Sequence, residues 1–126
     1  MMSPTSLKDK LKTALNELES IDPEIEASAI IRTDGLLMAS NFKVEMDKNL
    51  VAAMNAAMLN ISNRATREMK RGELQEMLVR ADNGIIALVN AGSNAVLSVI
   101  ARKDANLGLL LFEMKKSAKK IVDALK

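Results

Sequence analysis

The chain contains no cysteine and no histidine. The first absence removes a disulfide framework, a thiol nucleophile and thiolate metal ligands. The second removes the commonest general base and the commonest metal ligand, which leaves carboxylates, lysines and hydroxyls for any chemistry. Tryptophan and tyrosine are missing too, and Phe42 and Phe112 are the only aromatic side chains. Single-stranded nucleic acids are held largely by stacking bases on aromatic rings, and this chain has no such platform. Its 18 basic and 16 acidic residues are interleaved and leave a formal charge of only +2, so no nucleic-acid partner is expected. No apolar run approaches the roughly 20 residues of a membrane-spanning helix. The first residues, "MMSPTS", lack the basic-then-apolar pattern of a secretory leader. The expectation is a cytoplasmic protein with no membrane span, no catalytic residue, no cofactor and no metal site.

What remains is apolar. Hydrophobic residues make up 48% of 126, enough for one packed domain over residues 1–126. Leu7, Leu11, Ala14, Leu15, Leu18 and Ile21 recur at helical spacing and predict a helix from about Ser3 to Ser20. Ser3 before Pro4, or Ser6 before Asp9, would cap it. Ala27 to Arg32 and Leu36 to Ala39 flank Asp34-Gly35 as a hairpin with a type I′ turn. Asn41 to Met46 reads as a loop, and Asp47 as the cap of a helix over Lys48 to Met69.

That central helix carries two apolar faces. Leu50, Met54, Ala57, Met58, Ile61 and Ala65 form a stripe expected to pack on a sheet. Ala52, Ala53, Ala56 and Leu59 then lie on the side away from it, where small side chains would let another helix approach closely. After Gly72, strands are predicted over Glu73 to Arg80, Gly84 to Asn90 and Ala95 to Ala101, the last two buried on both faces. A final helix spans about Asn106 to Leu125, capped by Asp104 or Asn106, with Gly108 in its first turn marking a close backbone approach. The order α-β-β-α-β-β-β-α, with helices on both faces of five antiparallel strands, is a three-layer α/β/α sandwich.

This order, together with "IIRTDGLLMAS" (residues 30–40) and "VLSVIARKDANLGLLLFEMK" (residues 96–115), resembles the roadblock/dynein light-chain (roadblock/LC7) family, in its short stand-alone prokaryotic type. The resemblance runs from about Leu7 to Leu125. It implies a five-stranded antiparallel sheet with the central helix on one face and the terminal helices on the other. It implies a homodimer formed through the central helix and the strand after it, with Ala52, Ala53, Ala56, Leu59, Asn63, Met77 and Val79 at the interface. The partner it implies is a Ras-like small GTPase, which such proteins regulate or scaffold without being catalysts themselves. Bacterial gliding-motility members act as GTPase activators.

Arg64, Arg67 and Arg71 at the end of the central helix are the candidate contacts to such a partner. Cations near a helix C-terminus are also favoured by its dipole alone. Lys115, Lys116, Lys119 and Lys120 form a basic outer face on the last helix, read as solvated. Gly35 and Gly108 sit in no phosphate-loop pattern. The alternative function is a small-ligand sensor with a pocket in its core.

Overall fold

The structure, a computed structural model, describes residues 6–126. The possible cap at Ser3-Pro4 lies outside the described residues. Helix α1 runs over Leu7–Ile21 and is capped by Ser6, whose hydroxyl accepts from the Asp9 N–H at 3.1 Å. Strands β1 (Ile25–Arg32) and β2 (Leu37–Phe42) follow, then α2 (Lys48–Glu68), strands β3 (Glu76–Ala81), β4 (Gly84–Asn90) and β5 (Ala95–Ala101), and α3 (Leu107–Leu125). All five strands form one antiparallel sheet in the order β2-β1-β5-β4-β3, so β2 and β3 are its two edges.

Helices α1 and α3 pack side by side on one face of this sheet, and α2 lies alone on the other. The alternation of side chains along each strand divides the core accordingly. Ile25, Ile30, Ile85, Val89, Leu97 and Val99 meet the helix pair. Ala29, Ile31, Leu88 and Val96 meet α2. Both faces of the central strands are therefore dry, which accounts for the unbroken apolar runs of β4 and β5. Lys120 of α3 reaches Glu17 of α1 at 3.0 Å and ties the helix pair together at its solvent side.

Apart from the rotation of α2, the structure differs from the sequence expectations at four places, each with a local cause. The first hairpin has a three-residue loop rather than a type I′ turn: Gly35 alone is left-handed (φ 96°), and its N–H bonds to the Arg32 carbonyl at 2.8 Å. Asp34 accepts from both the Arg32 guanidinium and the Leu36 N–H, which holds this shape. Strand β2 continues through Asn41 and Phe42, because Asn41 bonds Asn16 of α1 at 2.8 Å and Phe42 packs toward α2. Strand β3 begins only at Glu76, since Glu73 and Leu74 are held by α2 instead. Gly108 makes no close approach; that constraint falls at Gly84, where a Cβ would stand 2.9 Å from the Ala101 carbonyl oxygen.

Helix α2 ends with Lys70 in the left-handed region (φ 60°) while the Arg71 N–H bonds the Thr66 carbonyl at 2.7 Å. A lysine is strained in a position that glycine occupies freely. Lys70→Gly is therefore expected to stabilise the fold by roughly 0.5–1 kcal/mol, read as a higher urea midpoint at unchanged slope.

Candidate functional site

Asp47 sets the rotation of α2 at its start. Its carboxylate accepts from the N–H groups of Asn49 and Leu50, both at 3.1 Å. From there the helix turns Ala52, Asn55, Ala56 and Leu59 onto the sheet, an i, i+3, i+4, i+7 stripe that is buried throughout. This reverses the sequence expectation for Ala52, Ala56 and Leu59 and, on the other face, for Leu50, Met54, Ala57 and Ile61. Met58, expected on the sheet, does pack against that core, and Ala53, expected away from it, is exposed. Ala52 and Leu59 belong to the chain's own core on the sheet, and Ala56 is buried beside Gly35 of the first hairpin. The small alanines allow α2 to lie close on the strands. Asn55 is satisfied there, donating to the Val51 carbonyl at 2.7 Å and accepting from the buried Ser98 hydroxyl at 2.8 Å.

The larger apolar residues point outward. Leu50, Met54 and Ile61 are 58%, 54% and 71% exposed, with Ala53 and Ala57 exposed between them. Leu50, Met54, Ala57 and Ile61 follow the alternating four- and three-residue spacing of a helix–helix seam, and the alanines leave room for close contact. Contiguous apolar surface of this kind marks an interaction site.

The remaining candidates fall beside that seam. Asn63 accepts from the Leu74 N–H at 3.1 Å and so fastens the loop between α2 and β3. Met77, reached by the Ser62 hydroxyl at 3.1 Å, and Val79 lie half-buried on β3, whose outer edge has no neighbouring strand among the described residues. Arg64 lies 3.5 Å from Glu68 one turn on. Arg67 grips Glu73 with two hydrogen bonds, at 2.9 and 2.7 Å. That pairing raises the Arg67 pKa and lowers that of Glu73. Arg71 is exposed and has no ion-pair partner among the described residues.

A second polar cluster went unread in the sequence. Glu19 of α1 turns inward, its carboxylate accepting from the Ser28 hydroxyl at 2.5 Å, while its other oxygen is buried without a hydrogen bond 3.8 Å from the Lys43 ammonium. Burial raises its pKa above 4.5, against the lowering effects of the Ser28 bond, Lys43, Lys12 and Asn41. The folded state thus holds this proton more tightly than the unfolded chain. Its contribution is full below pH 4.5 and is lost as pH rises through the raised value. Glu19→Gln is expected to remove that loss, so the stability difference between variant and parent should shift in the variant's favour across this window. Urea midpoints measured from about pH 4 to about pH 8 give the check.

The basic outer face of α3 is largely neutralised. Lys115 pairs with Glu76 at 2.7 Å, Lys120 with Glu17 at 3.0 Å, and Lys116 sits 3.8 Å from Glu113 and 5.6 Å from the centre of the Phe112 ring. Among the described residues, no His, Cys, Asp or Glu cluster is arranged to hold a metal ion, and no helix is long and apolar enough to cross a membrane.

An antiparallel sheet with a helix pair on one face and, on the other, a single helix presenting an exposed apolar seam defines a small α/β/α module. Residues 10–101 match the Roadblock/LC7 domain family, and the chain belongs to that family. The uncharacterized protein MJ1340 of Methanocaldococcus jannaschii is 32% identical over 113 residues, covering 90% of this chain and 95% of that protein. Among solved structures, Myxococcus xanthus MglB is similar with a TM-score of 0.88 at 17% identity, over 99% of this chain and 93% of that one. A Roadblock/LC7 domain from Streptomyces avermitilis is similar with a TM-score of 0.84 at 21% identity, over 90% of this chain and 96% of that one. At these identities the two structures speak to the fold.

Proposed function

We propose that the chain is a single, non-catalytic Roadblock module that forms a homodimer and, as a dimer, binds a Ras-like small GTPase in the cytoplasm to regulate or scaffold it. The observation that carries this reading is the outward seam of Leu50, Met54, Ala57 and Ile61. A two-fold axis beside α2 would set this seam against its own copy and bring the two β3 edges together, with Met77 and Val79 near the join. Sheet pairing and helix pairing then reinforce each other. Ala53 stays in the interface on this reading, while Ala52, Ala56 and Leu59 act from beneath by placing the helix.

The arginines divide by availability. Arg67 is occupied by Glu73, so Arg64 and Arg71 are the more accessible contacts for an acidic or phosphate-bearing partner surface. The fold likeness to MglB supports a GTPase as the partner class that the family resemblance implies. Affinity capture with the tagged protein, in GTP analogue and in GDP, tests this. Retention of a Ras-like GTPase in one nucleotide state is the expected result, and stimulated hydrolysis would then separate activation from scaffolding. Retention of none in either state would overturn the reading.

A small-ligand sensor has less in its favour. The space between the sheet and the helix pair is filled by Leu15, Ile30, Leu97, Leu110, Met114 and Ile121. A groove of about 560 Å³ runs between α3, Gln75 and the end of β4 and is bordered by Lys115, Lys119 and Asp123.

A further inference from the structure

The two edges of the sheet carry different chemistry. Edge strand β3 presents Leu78 and Val79 and has its one acidic side chain, Glu76, held by Lys115. Edge strand β2 is framed by lysines. A groove of about 310 Å³ runs along residues 37–40 of β2, with Lys8 and Lys12 of α1 on one lip and Lys48 of α2 on the other.

The backbone at its floor is open. The Lys43 N–H bonds the Glu26 carbonyl at 2.9 Å, and β1 and β2 pair with Ser28 opposite Asn41 and Ala29 opposite Ser40. In an antiparallel ladder alternate residues turn toward and away from the neighbour. Lys43, Asn41 and Ala39 therefore face β1, and the backbone groups of Ser40 and Phe42 face outward. The Lys12 ammonium confirms this for Ser40, donating to its carbonyl from outside the sheet at 2.5 Å. The Lys48 ammonium stands 5.8 Å from the centre of the Phe42 ring, on the other side of the strand.

We propose that the β2 edge is a docking site for an extended acidic segment of a partner protein, added to the sheet as a sixth strand. The outward N–H and C=O groups of Ser40 and Phe42 would hold its backbone, and Lys8, Lys12 and Lys48 its carboxylates. The charge selects this occupant over a second copy of the chain, because pairing two β2 edges would bring two sets of three lysines together. Of the carboxylates near this edge, Asp47 caps α2 and Glu19 is buried against Ser28, while Glu45 is exposed in the loop after β2 and leaves the three lysines of the groove in excess. While the edge is empty, Lys12 covers the Ser40 carbonyl and discourages indiscriminate pairing; an incoming carboxylate draws that ammonium aside. The site lies at the opposite end of the sheet from β3 and does not depend on the dimer or on the GTPase.

The test uses a fluorescent peptide of roughly eight residues alternating threonine and glutamate, long enough for one strand. Fluorescence anisotropy is read with the parent protein, with Ser40→Pro and with Lys12→Glu. Proline at this position deletes an N–H that points away from β1, so the sheet's own ladder is kept. Each substitution is expected to weaken binding roughly tenfold or more. Amide hydrogen exchange at Ser40 and Phe42 is expected to slow when the peptide is added, which reads strand addition without any substitution. Absence of binding overturns the proposal. So does unchanged affinity for Ser40→Pro with unprotected Ser40 and Phe42 amides, which would mean attraction by charge alone. Equal binding of inorganic phosphate or of vesicles rich in phosphatidylserine at the same lysines would also overturn it, in favour of a simple anion site.

Discussion

Ile61→Glu is expected to turn the proposed dimer into a folded monomer. Ile61 is 71% exposed in the single chain, so a carboxylate there costs the monomer almost nothing. In a two-fold interface the same substitution appears twice, and two buried like charges would face each other across the seam. A cost of about 3 kcal/mol or more would raise the dissociation constant by a factor of at least about 100. Light scattering should give the monomer mass, with far-ultraviolet circular dichroism unchanged and a melting temperature that no longer depends on concentration. Met54→Glu should behave alike. Ala56→Glu is the contrasting case: the Ala56 side chain is 7% exposed and buried beside Gly35 of the first hairpin. An unpaired carboxylate beneath α2 would destabilise the fold itself. If Ile61→Glu kept the dimer mass while Ala56→Glu remained folded and became monomeric, the assignment of the two faces would be wrong.

The two faces of α2 show where sequence reading succeeded and where it failed. The element itself was legible, because Asp47 and a 3.6-residue period announce a capped amphipathic helix. Its rotation was not. Both stripes have the correct period, so spacing cannot say which of them faces the sheet. Of the stripe expected there, Leu50, Met54, Ala57, Met58, Ile61 and Ala65, the structure turns Leu50, Met54, Ala57 and Ile61 outward. The helix instead sets Ala52, Asn55, Ala56 and Leu59 inward. The clue was Asn55, which looks polar in the alanine stripe until its partner Ser98, 43 residues away, is known. Long-range pairs of this kind leave no local trace. Glu19 was missed for the same reason, since its burial depends on Ser28 and Lys43 arriving from the hairpin. Strands β4 and β5 were legible to the residue, because they are apolar on both sides and bounded by turn residues at both ends. Edge strands were less so: β2 and β3 have fewer apolar residues to mark their ends, and side-chain bonds to α1 and α2 decide where each strand stops or starts.

The Asn55–Ser98 pair supports the interaction surface from beneath, and its removal should be costly. Asn55 is 4% exposed and Ser98 2%, so neither can exchange its partner for bulk water. Asn55→Ala leaves the Ser98 hydroxyl buried and without the acceptor it now uses, a loss of roughly 1–3 kcal/mol. Asn55→Ala together with Ser98→Ala removes both ends of the bond. The double variant should be no less stable than Asn55→Ala alone, because the orphaned hydroxyl goes with its partner. Urea unfolding of the two single variants and the double variant would measure the coupling directly. Strict additivity would mean that the pair does not act as a unit. The consequence reaches the outer face of the helix. Among the described residues, Asn55 and Ser98 form the one buried hydrogen bond between α2 and the central strand β5. With it gone, α2 keeps the apolar contacts of Ala52, Met58 and Leu59 and the bonds of Ser62 to Met77 and Asn63 to Leu74 toward its C-terminal end, but its middle loses the polar tie that fixes its rotation over β5. A few tens of degrees of rotation would move Met54 and Ile61 out of line with a partner helix. Asn55→Ala is therefore expected to weaken dimerisation as well as folding, in Ile61-containing protein, without any change in the residues that make the contact.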